Sequence, residues 1–254
     1  MIRKISPKTR CCAWLASWLI ALAATPFPIS AEEGSDSALA AAPAEPTGDA
    51  VEDAVESEAA TSEAATKGAE AESPVATVER FHAGLLEIMK QAEELGFQGR
   101  VDALRPLMAK TFDLGFMASK TVGGHWRKLS AEDKKRWSDV FAQFSTANYA
   151  GRFTGFKGEQ FVTLGVEDAA RNTRMVLTRI VVPNDKDVEL NYRLLETAEG
   201  EWKVIDVYLD GTVSELALRR SEYASALKRQ GFENLVAAVQ TKIESLKADG
   251  QAEG

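Results

Sequence analysis

The feature that most constrains this chain is a change of hydrophobic period at Gly158. Ahead of that glycine, large apolar residues recur every three or four positions, the spacing of one helix face. Beyond it they alternate in short runs, the spacing of half-buried strands. Phe161, Val162 and Leu164 make the first run, and residues 174–182 (Met175, Val176, Leu177, Ile180, Val181) the second. Residues 188–195 and 202–209 make the third and fourth. The links, around Glu167-Asp168, Asn184-Asp185 and Glu199-Gly200, are short and polar. A parallel pair needs a crossover of about a dozen residues or more, so links this short dictate hairpins. The four runs predict an antiparallel meander.

Helices bracket this sheet. Ser73 is a cap with Pro74 at the first helical position, and Val75, Val78, Phe81, Leu85, Met89 and Ala92 then form one apolar face that ends at Gly96 and Gly99. A shorter helical stretch covers residues 101–110 and is disturbed by Pro106; Asp113 caps another that carries Phe116 and Met117. Ser130-Ala131-Glu132-Asp133 resembles a capping box and opens a helix bearing Trp137, Phe141 and Phe144. Two closing helices are marked by Leu216, Tyr223 and Leu227, then by Phe232, Leu235, Val236, Val239, Ile243 and Leu246. The expected fold class is α+β, with helices covering one face of a four-stranded antiparallel meander sheet.

The first 73 residues read differently. Arg3, Lys4, Lys8 and Arg10 precede a short apolar run from Cys11 to Ala24, followed by Pro26, Pro28, Ser30 and Ala31. This is the pattern of a secretory signal peptide over residues 1–31, and its core falls short of the roughly 20 residues needed to span a bilayer. An uncleaved membrane anchor is the alternative. Both cysteines fall inside it, so the mature chain is expected to have no disulfide and no cysteine–metal site. Residues 32–73 hold 12 acids against the single base Lys67 and no aromatic residue, a composition that predicts a disordered acidic linker. With a whole-chain charge of −8, the domain over 74–247 and its short tail over 248–254 are left together at −1. A near-neutral domain argues against nucleic acid as a partner.

Catalytic chemistry is sparse. The chain has two histidines, His82 and His125, and His82 is expected to be a structural residue beside the first helix face. There is no Gly-rich phosphate loop, no His-Glu-x-x-His and no Gly-x-Ser-x-Gly. No cofactor or metal is expected, and no spacing marks a catalytic group. Asp206 and Asp210 lie four apart on the fourth run, so strict alternation puts them on the side of Trp202, Val204 and Tyr208. An enzyme would use Asp206 with Tyr192 or Tyr149 in a conical pocket; the structural alternative has Asp206 accepting hydrogen bonds from backbone or an arginine. The domain is rich instead in large apolar side chains, and Met89, Met108, Met117 and Met175 add adaptable ones. Composition does not separate a filled core from a hollow one.

Three patches carry a family likeness. The first is Phe112-Asp113-Leu114-Gly115-Phe116 with Gly123-Gly124-His125-Trp126-Arg127-Lys128-Leu129-Ser130. The second is Phe141, Phe144, Tyr149 and Phe153 ahead of Gly158-Glu159-Gln160-Phe161. The third and most specific is Tyr192, then Gly200-Glu201-Trp202-Lys203-Val204-Ile205-Asp206-Val207, Asp210-Gly211-Thr212-Val213-Ser214 and Arg220-Ser221-Glu222-Tyr223. Together they resemble the MlaC (toluene-tolerance, auxiliary transport component) family of periplasmic lipid-binding proteins. The commoner pattern runs Gly-x-Ser, whereas Gly211 and Ser214 are separated by two residues, which is similar to the hopanoid-associated HpnM branch.

The resemblance implies a non-enzymatic periplasmic carrier of phospholipid or hopanoid between inner and outer membranes. An inner-membrane lipid transporter complex and an outer-membrane lipid donor or acceptor are its implied partners. Acyl chains would lie in an apolar cavity between sheet and helices. Face assignment plus the likeness nominates Leu85, Met89, Met108, Phe116, Phe141, Phe144, Met175, Leu177, Tyr192, Trp202, Val204 and Tyr208 as its lining. A cargo-free envelope interaction protein is the alternative.

Overall fold

The computed structural model describes residues 72–252. The expected signal peptide and nearly all of the expected acidic linker lie outside the described residues. Ser73 accepts a hydrogen bond from the Ala76 amide and caps α1 (Pro74–Lys90). Along α1, Val78, Phe81, Leu85 and Met89 are buried, as their spacing dictates. Helix α2 (Ala92–Thr111) breaks at Gly96 and nowhere else, so Gly99 lies within a helix and does not end one. Pro106 is accommodated inside α2. Gly96 adopts φ 59° and ψ −176°, a conformation closed to residues with a Cβ. The break leaves backbone carbonyls without helical donors, and Arg100 donates to Ala92 O and to Ala150 O.

Asp113 accepts from the Phe116 amide and caps α3 (Leu114–Thr121), and a 3₁₀ turn follows at Gly123–Lys128. Ser130 caps α4 (Ala131–Arg152) through the Asp133 amide, completing the capping signal read in the sequence. Trp137 on α4 is wholly buried and donates its indole N–H to Ala118 O at the C-terminal end of α3. It also meets Tyr223 and Phe232 edge-on, which fixes α4 against the last helix.

The sheet has five strands, not four: β1 (Gln160–Ala169), β2 (Thr173–Val181), β3 (Val188–Glu196), β4 (Trp202–Leu209) and the two-residue β5 (Val213–Ser214). They pair antiparallel in chain order. Two residues carry too little pattern to be read as a strand, which is why β5 escaped the sequence. Glu167 and Asp168 belong to β1 and are not a link. The turn falls at residues 170–172, where Arg171 and Asn172 both take positive φ (63° and 54°).

Two bulges reset the alternation. One lies between Thr163 and Gly165 on β1; the other makes Ile205 the extra residue on β4, since Arg193 pairs with Asp206 but Leu194 with Val204. The inner face therefore carries Val176, Ile180, Tyr192, Leu194, Val204, Val207 and Leu209, all buried. The opposite face carries Met175, Leu177, Arg179, Arg193 and Tyr208, each half-buried.

Helix α5 (Glu215–Ala252) closes the fold and runs through 248–252, where the sequence suggested a tail. It is two helices joined at Gly231, with φ 80° and ψ 176°, which divides the two apolar stripes read in the sequence. Added side-chain atoms at Gly231 would meet nothing within 4 Å, so its role is purely conformational. We expect Gly231→Ala to lower unfolding free energy by about 1–3 kcal/mol in urea titrations, the strain of holding alanine in a glycine-only conformation. An unchanged midpoint would mean that α5 straightens at no penalty.

Candidate functional site

The inner face of the sheet and the helices above it enclose an aromatic centre. Phe81 on α1 lies edge-on to Phe112 at 5.1 Å, Tyr149 at 5.7 Å and Tyr192 at 6.2 Å between ring centroids. One polar contact is embedded there: His82 Nε2 and Tyr192 Oη are 3.0 Å apart, and the imidazole stacks on Phe161 at 4.4 Å. Burial pushes the His82 pKa down to about 3 and raises that of Tyr192 well above its usual value. The pair is a satisfied core hydrogen bond, as the structural reading of His82 proposed.

Next to this centre, where α3, α4 and the start of α5 meet β4, is a cavity of about 30 Å³. On this measure one water molecule needs about 10–15 Å³. Its walls are largely apolar, formed by Met108, Phe112, Leu114, Met117, Phe141 and Phe144 with Tyr149, Val207 and Leu216. Ser145, Asn148, Glu215 and Arg219 supply a polar side. A larger depression of about 400 Å³ sits at the β2–β3 hairpin end, but it is bounded by Arg179, Lys186, Asp187, Glu189 and Asp210. Those charged walls give an acyl chain nothing to bury against.

Of the nominated lining residues, Met108, Phe141 and Phe144 border the cavity. Leu85, Met89, Tyr192 and Val204 are buried in the surrounding core, with Trp202 half-buried against it. Phe116 is half-buried, with the Lys120 ammonium 4.6 Å above its ring. Met175, Leu177 and Tyr208 stand on the opposite sheet face. For Tyr208 the reason is the Ile205 bulge, which the sequence does not announce. For Met175 and Leu177 the run Met175-Val176-Leu177 is apolar on both sides, so hydrophobicity alone cannot select the inner face.

The same bulge moves Asp206 away from Trp202 and Val204, and so away from Tyr192. Its carboxylate accepts from Ser214 Oγ at 2.6 Å, the Leu216 amide at 3.1 Å and the Val207 amide at 2.8 Å. Burial raises its pKa, and these three hydrogen bonds oppose the shift. Ser214 in turn accepts from the Ala217 amide and caps α5. Asp206 is therefore a clasp between β4, β5 and α5, and not half of a catalytic pair with Tyr192 or Tyr149.

The polar side of the cavity was missed by a search for large apolar residues. Its signal was the i,i+4 pair Glu215 and Arg219 on the first turns of an otherwise apolar stripe. Arg219 Nη1 donates to Glu222 at 3.0 Å, Nη2 stands 3.6 Å from Glu215, and the guanidinium covers the Phe144 ring at 5.0 Å. Arg152 at the end of α4 approaches the same Glu215 at 4.0 Å.

The sequence model of the MlaC protein family matches residues 79–241, more than half of the chain. Seven solved chains match. One is a phospholipid-binding protein from Ralstonia solanacearum in complex with a phospholipid, with 20% identity and a TM-score of 0.60, covering 67% of this chain and 97% of its own. At that identity the likeness establishes the fold. No curated protein matches. Among the described residues no helix is long and apolar enough to cross a membrane, and no cluster of His, Cys, Asp or Glu has the makings of a metal site.

Two predictions follow the geometry. His82 is neutral when folded but titrates near 6.5 when unfolded, so the unfolded state alone gains a proton as pH falls below about 6.5. The stability conferred by the neutral core histidine is full above that pH and is lost progressively toward pH 3. Guanidinium unfolding should show wild type losing up to ~1.4 kcal/mol per pH unit more than His82→Gln between about pH 6 and pH 4. Parallel pH profiles would assign the acid sensitivity elsewhere. For the clasp, Asp206→Ala strands the buried Val207 amide and the half-buried Leu216 amide and should lower stability by about 1–3 kcal/mol in the same assay.

Proposed function

Since the chain belongs to the MlaC family, we propose that it is a periplasmic phospholipid-binding carrier. In this reading residues 1–31 export it and the acidic segment 32–73 precedes the domain as a spacer. It carries a lipid between the inner and outer membranes, exchanging it with a transporter complex on one side and a lipid donor or acceptor on the other. The observation that carries the proposal is the cavity between helices and sheet, apolar on most of its walls, in a fold shared with a protein solved with a phospholipid. The spacing from Gly211 to Ser214 keeps a hopanoid as the alternative cargo, in the HpnM manner.

At about 30 Å³ the cavity has to enlarge before acyl chains enter. The glycine breaks at Gly96 and Gly231 divide α2 and α5 into segments that can shift without bending a regular helix. Met108 and Met117 on its wall supply side chains that repack readily. Each methylene transferred from water contributes ~0.8 kcal/mol, so a pair of acyl chains outweighs considerable rearrangement. The chemistry required is burial alone, with no catalytic group.

The smallness of the cavity favours one other reading, a cargo-free interaction protein of the envelope. Native mass spectrometry of protein purified from the envelope separates the two. A carrier shows a near-stoichiometric lipid that dissociates on denaturation; a filled core shows a bare chain that takes up nothing from envelope-lipid vesicles. Ser145→Trp, which projects bulk into the cavity wall, should reduce lipid occupancy severalfold. Leu177→Trp, on the opposite sheet face, should leave it unchanged. Equal occupancy in both folded variants would place the cargo elsewhere.

A further inference from the structure

At the polar side of the cavity, two guanidinium groups lack the acceptors that burial demands. Arg152 has only 14% of its side chain exposed, and neither its Nε nor its Nη2 has a hydrogen-bond partner. Those two nitrogens form one edge of the guanidinium plane, the edge that presents two parallel N–H bonds. Arg219 is 8% exposed, and its Nη2 is also without a hydrogen bond. Glu215 stands near both, at 4.0 Å from Arg152 and 3.6 Å from Arg219, too far to accept from either. An arginine cannot shed its proton to escape this situation, so buried N–H edges with no acceptor from the chain call for one from outside it, water or ligand.

We propose that Arg152 and Arg219 form a receptor for the phosphate of a lipid headgroup, at the polar side of the apolar cavity. Arg219 and Glu215 border that cavity directly, so a lipid with its chains against Met108, Phe141 and Phe144 places its first polar atoms at this rim. The guanidinium fork matches two phosphate oxygens, which Arg152 can engage through Nε and Nη2 together. The nearby carboxylates, Glu215 and Glu222, balance the two cations, which suits a singly charged phosphodiester better than a dianionic phosphate. Glu215 keeps the guanidinium groups apart from each other and gives way to the phosphate between them. This inference rests on the carrier reading and adds to it the residues that hold the headgroup, so that a phosphodiester lipid is preferred over an uncharged lipid with the same chains through Arg152 and Arg219.

The test offers delipidated full-length protein vesicles containing either phosphatidylglycerol or diacylglycerol with identical acyl chains, and reads bound lipid by native mass spectrometry. Wild type should retain the phospholipid about tenfold over the diacylglycerol, the discrimination expected from one charge-assisted hydrogen-bond pair. R152Q and R219K should bring that ratio toward one. A wild-type ratio near one, or a wild-type ratio preserved in the folded variants, overturns the headgroup site and leaves the carrier reading standing. Failure of wild type to retain either lipid overturns the carrier reading and the site with it. Inorganic phosphate is the remaining probe. If it raises the Tm of the delipidated protein as much as the phospholipid does, and R152Q abolishes the effect, the site belongs to free phosphate and the lipid assignment falls. The wild-type comparison decides the matter even if a variant does not fold.

Discussion

The Asp206 carboxylate holds the functional half of this molecule in register. It sits one residue past the Ile205 bulge, and its two oxygens accept from β4's own Val207, from Ser214 of β5 and from Leu216 of α5. Without it the buried Val207 amide and the half-buried Ser214 and Leu216 donors would lose their acceptor. The consequence is geometric. Glu215, Leu216 and Arg219, which make one wall of the cavity, start from a point fixed to the sheet, while the rest of α5 is joined through Gly231. A buried carboxylate with a raised pKa invites a catalytic reading; here its hydrogen bonds are all committed to holding the chain.

How much of this was legible follows from the scale of each signal. Long periodic segments survived translation into structure: the Ser73, Asp113 and Ser130 caps and the Trp137, Phe141 and Phe144 stripe are local patterns with local causes. The sheet order followed from link length. What escaped was non-local or short. A bulge is a single extra residue, and Ile205 gives no sign of being one, yet it reverses the faces of Asp206 and Tyr208. The Arg171-Asn172 turn has only one residue of a type that favours positive φ, so the polar pair Glu167-Asp168 made the more persuasive link. The face of Met175 and Leu177 depended on which side the helices pack, and that is decided by Phe81 and Tyr192 far away in the chain.

The candidate site was half legible for a related reason. Looking for large apolar side chains finds Met108, Phe141 and Phe144, which border the cavity. The polar rim is invisible to that search. Glu215 and Arg219 on a helix surface look like one more solvent-exposed i,i+4 pair, worth a few tenths of a kcal/mol. Only the fold reveals that Arg219 is buried against Phe144 and that Arg152, from another helix, shares its carboxylate.

Under the proposed carrier function, the small cavity is what packing physics expects between loads. Protein interiors are as dense as organic crystals, and a large apolar void forfeits dispersion contacts along its whole lining. A binding site for acyl chains that stayed open would have to be held open by rigid walls, and rigid walls retain their cargo. The walls here are of the other kind: methionines at 108 and 117, a helix divided at Gly96, and a helix divided at Gly231 but pinned at its start by Asp206. In the proposed carrier such walls would close on themselves when empty and separate when hydrocarbon offers the same contacts. Loading then replaces protein–protein apolar contact with protein–lipid contact, so the net affinity is the difference between two similar quantities. A carrier that must both take up and give up a lipid needs that difference to be modest, and a collapsible site provides it without a dedicated release step.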